Sequence, residues 1–451
     1  MENTDCLIGL DIGTSAVKGV LLVANGKILA TACGEFNYYG EESAKLLEPM
    51  EFIQVCFGVI KELADKCPSD CNISGICSCC ASGNLIFLDK EFKPFTHIIG
   101  WQSNVDNDEF SSYYTEIECE EIYKAVGWPV INGFPIAYFP WIAKNKKNII
   151  SDAKMICMSA EYLNYSLTGN WGISYSMATP FYLLDQEKGD YCNKLLNKFG
   201  IIREQLPPIY QKGKVIGKIK PEVASYLGLS NDVKVILGSF DHPSGATGAG
   251  VFTSNDILVS CGTSWVLFFP INSRMRAIET GLLVDRFMIN KTPYCVMKSI
   301  PSLSPKIEKL RNFYLGDISH RELDELIVKS EYGCNGLKFN FDEDDFKIAG
   351  KYSKHDIARA IYESAARLLK HNLSECEALG LSGNRVALVG GITNSNICVK
   401  VVSEILEKET VVINGASAGA VGAAMLAAIG VGIYSDEVEA FDSMNFKTVK
   451  L

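Results

Sequence analysis

The sequence predicts an α/β protein made of two related halves. A strand that runs into a glycine turn occurs at 7–15 and again at 257–264, about 250 residues later. With 451 residues the chain is long enough for two or three domains and a large core. Strand-like apolar runs alternate with segments of helical period. We therefore expect an approximate duplication in which each half carries its own glycine turn.

The chain opens with three predicted strands and no helix between them. These are the apolar runs 6–13, 17–23 and 28–32, the last two joined by the hairpin signal Asn25-Gly26. A dinucleotide-binding fold would place a helix after its first strand. The chain also contains neither G-x-G-x-x-G nor G-x-x-x-x-G-K-[ST]. An antiparallel start is therefore expected in place of the common nucleotide-binding topologies.

The later elements follow from periodicity and from end signals. The predicted helices are 51–65, 158–169, 355–379 and 415–429, and the predicted strands are 73–80, 85–88, 233–240, 257–261 and 385–389. Gly169 suits the left-handed end of its helix. The stretch from Thr410 to Ser435 carries no charge but is rich in Gly and Ala. It is therefore expected to form a close-packed buried helix and not a membrane span.

Composition excludes several classes of protein. The net charge of −10 argues against a broad nucleic-acid or anionic-membrane surface. The N-terminus has no signal-peptide pattern, so a cytoplasmic location with free thiols is expected for the 16 cysteines. The densest group is Cys71, Cys77, Cys79 and Cys80. Because Cys77 and Cys79 alternate within an apolar run, they are interpreted as small core residues in preference to a zinc site.

Two Gly-Thr-Ser turns are candidate phosphate sites. They comprise Gly13, Thr14 and Ser15, followed by Lys18, and Gly262, Thr263 and Ser264. Backbone N–H groups and hydroxyls in such turns can surround phosphate oxygens, and glycine allows a close approach. Asp11, at the first strand end, can hold Mg²⁺ through water. One such turn would be an ordinary hairpin, but two on matching strand ends favour binding of one polyphosphate from both sides.

A third turn follows the predicted strand 385–389. Its paired glycines, Gly390 and Gly391, leave room for a flat group such as adenine against the backbone, with Asn394 nearby. The alternative is an ordinary turn between a strand and a helix. Only the other two turns favour the nucleotide interpretation.

An acidic residue stands at the end of the apolar strand 233–240. Asp241 is placed to accept a proton from an attacking hydroxyl if both phosphate turns face it. Alternatively, Asp241 caps the small-residue helix that starts near Pro243, and the two roles are compatible. His242 is interpreted as a structural neighbour and is also a candidate contact for the acceptor.

Taken in order, these motifs resemble those of the FGGY carbohydrate kinases, a family of the actin/Hsp70/hexokinase superfamily. The segments that carry the resemblance are 8–19, 133–145, 161–185, 237–251, 260–264, 389–395 and 416–427. The resemblance implies two ribonuclease H-like, actin-like lobes, residues 1–244 and 245–451. Each lobe would be a mixed sheet flanked by helices, with ATP and sugar meeting in an interlobe cleft. It also implies that Asp241 is the catalytic base and Asp11 the Mg²⁺-linked aspartate.

The acceptor segment departs from the family pattern. Where the family often has Trp-x-Asp-x-Arg, residues 101–105 read Trp-Gln-Ser-Asn-Val, and Tyr138 replaces the lysine of the Gly-x-Pro segment. The candidate acceptor contacts are Trp101, Gln102, Asn104, Asp241 and His242. Trp101 could equally be a core residue. The identity of the acceptor stays open, with a pentulose such as xylulose favoured.

Three functions are compatible with these observations. The leading hypothesis is ATP- and Mg²⁺-dependent phosphorylation of a hydroxyl on a small sugar or polyol, with Asp241 as general base. The second is a non-catalytic relative that binds nucleotide and sugar, against which the retained Asp241 argues. The third is an acceptor-independent ATPase, against which the Leu-Thr-Gly segment at 167–169 argues. The expected partners are a small sugar or polyol and a second copy of the chain, with neither nucleic acid nor membrane.

Overall fold

The computed structural model describes residues 4–40, 45–81, 83–146, 148–341 and 347–450. Two compact units are present. The first comprises Met1–Gly248, Asn272–Cys295 and Gly419–Phe446, and the second comprises Ala249–Ile271, Val296–Ala418 and Lys447–Leu451. Two segments from the C-terminal half of the chain therefore belong to the first unit. The lobe boundary between residues 244 and 245 stays a prediction.

Strands and helices occur in both units. The strands are β1 (Thr4–Ile12), β2 (Ala16–Val23), β3 (Ile28–Glu35), β4 (Leu46–Leu47), β5 (Cys71–Cys80), β6 (Ile86–Leu88), β7 (Ile98–Ile99), β8 (Met155–Cys157), β9 (Ile173–Ser174), β10 (Leu184–Asp185), β11 (Asp190–Tyr191), β12 (Ile209–Tyr210), β13 (Val215–Lys218), β14 (Lys234–Phe240), β15 (Asp256–Cys261), β16 (Trp265–Ile271), β17 (Leu283–Arg286), β18 (Tyr294–Ile300), β19 (Arg385–Gly390), β20 (Glu409–Ile413) and β21 (Thr448–Lys450). The helices are α1 (Pro49–Asp65), α2 (Asn107–Ser111), α3 (Glu116–Val126), α4 (Pro135–Asn145), α5 (Asn148–Asp152), α6 (Ser159–Thr168), α7 (Tyr175–Ala178), α8 (Asn193–Phe199), α9 (Pro221–Leu227), α10 (Asp241–Gly248), α11 (Arg274–Glu279), α12 (Leu303–Leu315), α13 (His320–Val328), α14 (Lys354–Ala378), α15 (Asn396–Leu406), α16 (Ala418–Val431) and α17 (Glu437–Met444). Every helix and strand predicted above is confirmed, with ends that shift by at most about three residues.

The main sheet of the first unit has the strand order β13-β14-β5-β1-β2-β3. β1 pairs antiparallel with β2, and β2 with β3, so the predicted antiparallel opening is confirmed. On its other side β1 pairs parallel with β5, which pairs parallel with β14. Cys80 pairs with Ile12 on one side and with Phe240 on the other. The first glycine turn and Asp241 therefore lie at the same edge of the sheet, the one formed by the carboxyl ends of β1, β5 and β14. Open α/β sheets commonly bind ligands at the carboxyl ends of their strands.

The second unit repeats this arrangement. Its strands run in the order β18-β16-β15-β19-β20-β21. β15 pairs antiparallel with β16 and parallel with β19, as β1 does with β2 and β5. β19 in turn pairs parallel with β20. The duplication suggested by the two glycine turns is thus a duplication of strand topology.

The uncharged segment near the C-terminus forms a buried helix, as expected. From Ala420 to Ala428, α16 is almost entirely buried and packs on the first sheet. The fit requires glycine, because a Cβ on Gly9 of β1 would lie 1.9 Å from the carbonyl oxygen of Ala420. No helix within the described ranges combines the length and apolar character needed to cross a membrane.

Three of the four clustered cysteines are core residues. Cys77, Cys79 and Cys80 are buried in β5, whereas Cys71 at its first position is partly exposed. Their interpretation as small apolar side chains is therefore confirmed for the buried three.

Candidate active site

Two carboxylates stand at the same edge of the first sheet. Asp11 is the penultimate residue of β1, and Asp241 directly follows β14 as the first residue of α10. Oδ1 of Asp241 accepts a hydrogen bond from the backbone N–H of His242 at 2.7 Å. About a quarter of the Asp241 side chain is exposed (25 %). Asp241 can therefore begin the helix and still present a carboxylate oxygen to a ligand.

Asp11 lies in a pocket of small residues. The thiol of Cys79 is 3.6 Å from Oδ1 of Asp11 and 3.5 Å from the carbonyl oxygen of Gly419. A Cβ on Gly419 would lie 2.4 Å from Oδ2 of Asp11, so only glycine leaves room for the carboxylate. Ser244 fixes that glycine by donating a hydrogen bond to its carbonyl at 2.9 Å. Sequence reasoning missed all three neighbours, although the small residues of 416–427 signalled a close approach.

The two carboxylates differ in electrostatic setting. Burial raises the pKa of Asp11 to about 6, the nearby Asp241 adds to the rise, and Lys18, its partner across the β1–β2 pair, opposes it. Burial also raises the pKa of Asp241, and His242 opposes that rise. The ionised form of Asp11 is therefore less favourable than that of an exposed aspartate, and a bound cation would offset this cost. Hard carboxylate oxygens are the ligands that Mg²⁺ prefers, so the pair fits that ion.

Asp11→Asn is expected to stabilise the protein in the absence of divalent cations. The folded protein holds the Asp11 proton more tightly than the unfolded chain, whose pKa is near 3.8. The free energy of unfolding should therefore fall as the pH rises from about 4 through about 6. The variant should remove this loss and gain about 1–3 kcal/mol near pH 7. Denaturant unfolding across this range, with EDTA, is the measurement.

Asp232→Asn is the control for that experiment. Its exposed carboxylate pairs with Lys218 at 2.7 Å, which lowers the pKa of Asp232. The control should therefore show no gain near neutral pH. Identical pH profiles for Asp11→Asn and the parent protein would show that the folded state does not disfavour the ionised carboxylate.

The first glycine turn contacts the predicted acceptor segment. The turn closes through a hydrogen bond from the N–H of Gly13 to the carbonyl of Ala16 at 2.9 Å. The hydroxyl of Thr14 accepts a hydrogen bond from the indole N–H of Trp101 at 3.0 Å. The Trp101 ring stacks on Phe134, with centroids 6.0 Å apart and planes 21° apart. Trp101 is partly exposed, so it is not a sealed core residue.

Tyr138 fixes the shape of the acceptor segment. Its buried hydroxyl lies 2.8 Å from the carbonyls of Gly100 and Ser103 and 2.6 Å from that of Gly133. The single hydroxyl proton serves one carbonyl at a time, so the three share it. Gly133 needs its positive φ of 92° to bring its carbonyl there. The substitution noted in the sequence thus places a neutral, fully engaged side chain where the resemblance expects lysine.

The other predicted residues of the first unit lie around this edge. Ser15 and Lys18 are exposed, Gln102 is partly exposed, and Asn104 donates from its amide to the carbonyl of Gln102 at 3.4 Å. His242 is mostly buried, its Nε2 is 3.8 Å from Oδ1 of Asp241, and its ring stands edge-on to a neighbouring phenylalanine. Its two interpretations, neighbour and acceptor contact, both stay open.

The second glycine turn rests on the start of α12. Gly262 and Thr263 are exposed, and the hydroxyl of Ser304 donates to the carbonyl of Gly262 at 2.6 Å. The N–H of Ser302 donates to the hydroxyl of Ser264 at 3.2 Å. These bonds hold the turn in shape while its outer face stays accessible.

The third turn lies beside the second at the edge of the second sheet. Gly390 pairs with Cys261, and a Cβ on Gly390 would lie 2.5 Å from the carbonyl oxygen of Cys261. The turn continues through Gly391 to Asn394, both exposed. The hydroxyl of Thr393 closes it by donating to the carbonyl of Gly390 at 2.7 Å. The structure therefore brings these two predicted turns together within one unit.

Comparison with known proteins identifies the family. Residues 6–248 match the N-terminal domain of the FGGY family of carbohydrate kinases. Residues 344–431 match the C-terminal domain of the same family. The xylulose kinase of Staphylococcus epidermidis is 25% identical over 449 residues, which cover 95% of this chain and 88% of that protein. The gluconokinase of Bacillus subtilis is 23% identical over 467 residues, which cover 98% of this chain and 90% of that protein.

The fold agrees with these matches. The crystal structure of ligand-bound xylulose kinase from Lactobacillus acidophilus matches with a TM-score of 0.84 at 22% identity, covering 99% of this chain and 93% of that chain. The expected fold class, two actin-like lobes each built on a mixed sheet flanked by helices, is thereby confirmed. With both of its family domains matched in order, the chain belongs to the FGGY family of carbohydrate kinases.

Proposed function

We propose that this chain transfers the γ-phosphoryl group of ATP to a hydroxyl of a neutral ketose or polyol, with xylulose as the favoured acceptor. The observation that carries the proposal is the partly exposed carboxylate of Asp241 at the sheet edge that also carries Asp11 and the first glycine turn. Phosphoryl transfer relies on positioning and charge stabilisation, which such an edge can provide.

Asp241 is proposed to act as the general base. The acceptor oxygen forms a bond to the γ-phosphorus, the bond from that phosphorus to the β–γ bridging oxygen breaks, and ADP leaves. The proton of the acceptor hydroxyl passes to a carboxylate oxygen of Asp241. A pKa raised by burial makes this carboxylate a better proton acceptor than an exposed aspartate.

The remaining predicted residues are assigned to the nucleotide and its metal. Mg²⁺, when bound, would neutralise charge on the β- and γ-phosphates. Asp11 is proposed to hold this ion through water, because burial raises its pKa in spite of Lys18, and a cation would offset the cost of its ionised form. The proposed phosphate and adenosine contacts are Gly13, Thr14, Ser15, Lys18, Gly262, Thr263, Ser264, Gly390, Gly391 and Asn394.

The preference for a neutral acceptor rests on the uncharged acceptor segment. Trp101, Gln102 and Asn104 offer an aromatic face and amide groups but no cation. Tyr138 is buried against three carbonyls and offers none either. Since none of these four residues would give the carboxylate of an aldonic acid a positive partner against desolvation, a ketose suits the segment better. The lack of a cation in this segment therefore favours xylulose, the substrate in the name of the xylulose kinases, over gluconate, the substrate in the name of the gluconokinase.

An acceptor screen tests this proposal. ADP release from MgATP would be followed with ketoses, polyols and aldonic acids at equal concentration. We expect the highest kcat/KM on a ketose. A higher value on an aldonic acid would refute the neutral-acceptor assignment. Nucleotide binding without turnover on any acceptor would support a non-catalytic relative, and hydrolysis that no acceptor accelerates would support an ATPase.

Trp101→Phe is expected to raise the KM for the acceptor about three- to tenfold, because it removes the hydrogen bond to Thr14 but keeps a ring beside Phe134. Trp171→Phe is the matched control. The Trp171 indole N–H is buried and has no hydrogen-bond partner among the described side chains and backbone. Equal KM values for both variants would show that the Trp101–Thr14 bond does not position the acceptor segment.

Two expectations about the protein in the cell stay predictions. The 16 free cysteines favour a reducing compartment, the cytoplasm. The family resemblance favours a homodimer. Light scattering coupled to gel filtration would test the second, with a mass near 49.5 kDa indicating a monomer.

A further inference from the structure

A small cavity in the first unit involves none of the residues assigned above. Its lining includes Tyr175, Ser176, Lys212, Arg286, Phe287 and Ile289. Its volume of about 50 Å³ exceeds the space that one water needs. Sites for sugars or nucleotides usually measure about 300 Å³ or more, so only a small group fits here.

The first polar wall of the cavity is a buried lysine. Lys212 is 5% exposed, and buried lysines are rare unless paired. Its Nζ lies 3.1 Å from Oε1 of the fully buried Glu437 and 5.3 Å from the centroid of the Phe287 ring. No hydrogen bond of good geometry satisfies this Nζ within the described chain. The ammonium group therefore has N–H donors left for another partner.

The second polar wall is a guanidinium held in place by aromatic rings. Arg286 lies 5.5 Å from the ring centroid of Tyr175 and 4.8 Å from that of Tyr294. Its Nη2 donates to the carbonyl of Gln186 at 2.6 Å, which fixes the plane of the group. The Nε of Arg286 is buried and has no acceptor in the part of the chain that the structure describes. A second cationic donor is therefore oriented but unsatisfied.

The lining contains two cations and no carboxylate. Glu437, which pairs with Lys212, is not among the lining residues, and its Oε1 also accepts from the N–H of Ile289 at 3.1 Å. The fully buried Asp285 accepts from the hydroxyl of Ser176 at 2.9 Å and from the N–H of Arg286 at 2.7 Å. Asp285 is thus engaged by two donors, whereas Glu437 is engaged through Oε1 alone, and its buried Oε2 has no hydrogen-bond partner among the described residues. The unused donors of the lining point to a negatively charged ligand.

We propose that this cavity binds a small oxyanion, a phosphate or carboxylate group, through Lys212 and Arg286. Such cations bind oxyanions by strong charge-assisted hydrogen bonds, and Arg offers a planar set of donors. The hydroxyl of Ser176 also accepts a hydrogen bond from the N–H of Phe240 at 3.2 Å, so the site adjoins the strand end before Asp241. The proposal does not depend on which acceptor the kinase uses.

Two charge variants test the proposal by equilibrium dialysis with radiolabelled inorganic phosphate, in saturating MgADP to fill the nucleotide turns. Glu437→Gln removes the charge that neutralises Lys212 but keeps an acceptor for the N–H of Ile289. We expect it to tighten phosphate binding about three- to tenfold. The double variant Lys212→Gln/Glu437→Gln should weaken it about tenfold or more. Lys218→Gln, at an exposed lysine, should change nothing.

Tighter phosphate binding by Glu437→Gln cannot result from a loss of stability, because a destabilised protein would not bind phosphate more tightly. Acetate in place of phosphate distinguishes the two ligand chemistries: the anion that binds more tightly names the class. Crystals soaked in selenate should show anomalous density beside Lys212 and Arg286. Phosphate and acetate affinities that neither variant changes, or selenate bound elsewhere only, would overturn the proposal.

Discussion

Asp241→Asn is expected to lower kcat by about 10²–10⁴-fold, the usual contribution of a general base. The change is nearly isosteric, and an amide oxygen can still accept the hydrogen bond that Asp241 takes from the N–H of His242. The start of α10 should therefore persist, and with it the binding of nucleotide. Steady-state kinetics with the best acceptor, together with nucleotide titration, would measure both quantities.

A second substitution at this position separates catalysis from the hydrogen bond to the N–H of His242. Asp241→Ala removes the base together with the acceptor for the N–H of His242, so it should match Asp241→Asn in kcat but unfold more easily, by about 1 kcal/mol. The parent protein should also lose activity at low pH as its raised-pKa carboxylates become protonated. If Asp241→Asn kept kcat within a few-fold of the parent value, the base would have to be another group.

Gly422→Ala is expected to cost the protein about 3 kcal/mol of unfolding free energy, a large effect for one methyl group. A Cβ on Gly422 of α16 would lie 2.0 Å from the carbonyl oxygen of Ser244 in α10. Backbone cannot yield as a flexible side chain does, so one of the two helices must move. Because α10 begins at Asp241, kcat should fall along with stability. Thermal and denaturant unfolding, combined with kinetics, would show both changes.

Gly58→Ala is the matched control for that experiment. Gly58 lies on the exposed side of α1, and nothing stands within 4 Å of a Cβ placed there. The same chemical change should therefore stabilise the protein by about 0.5–1 kcal/mol, through helix propensity and a less flexible unfolded chain. A Gly422→Ala protein as stable as the parent would mean that the two helices are not in backbone contact.

The sequence by itself determined the local elements and the positions of the glycine turns. The antiparallel opening follows from apolar runs joined by a hairpin signal, and α14 follows from the helical period of 355–379. Asp11 and Asp241 were predicted as strand-end carboxylates, because a long apolar run before an acid is a local signal. Their position at strand ends beside the glycine turns suggested the roles of both residues, and the family resemblance implies the same roles.

Only the tertiary structure decided what each of these segments contacts. Nothing local indicates that 419–446 joins the first unit, that Gly419 makes room for Asp11, or that Trp101 donates to Thr14. From the sequence alone, Lys212 and Glu437 are indistinguishable from surface charges. Only the folded structure shows that the two are buried and paired with each other. The physical reason is that periodicity reports which face of a segment is buried, whereas the partner of that face is chosen by contacts across hundreds of residues.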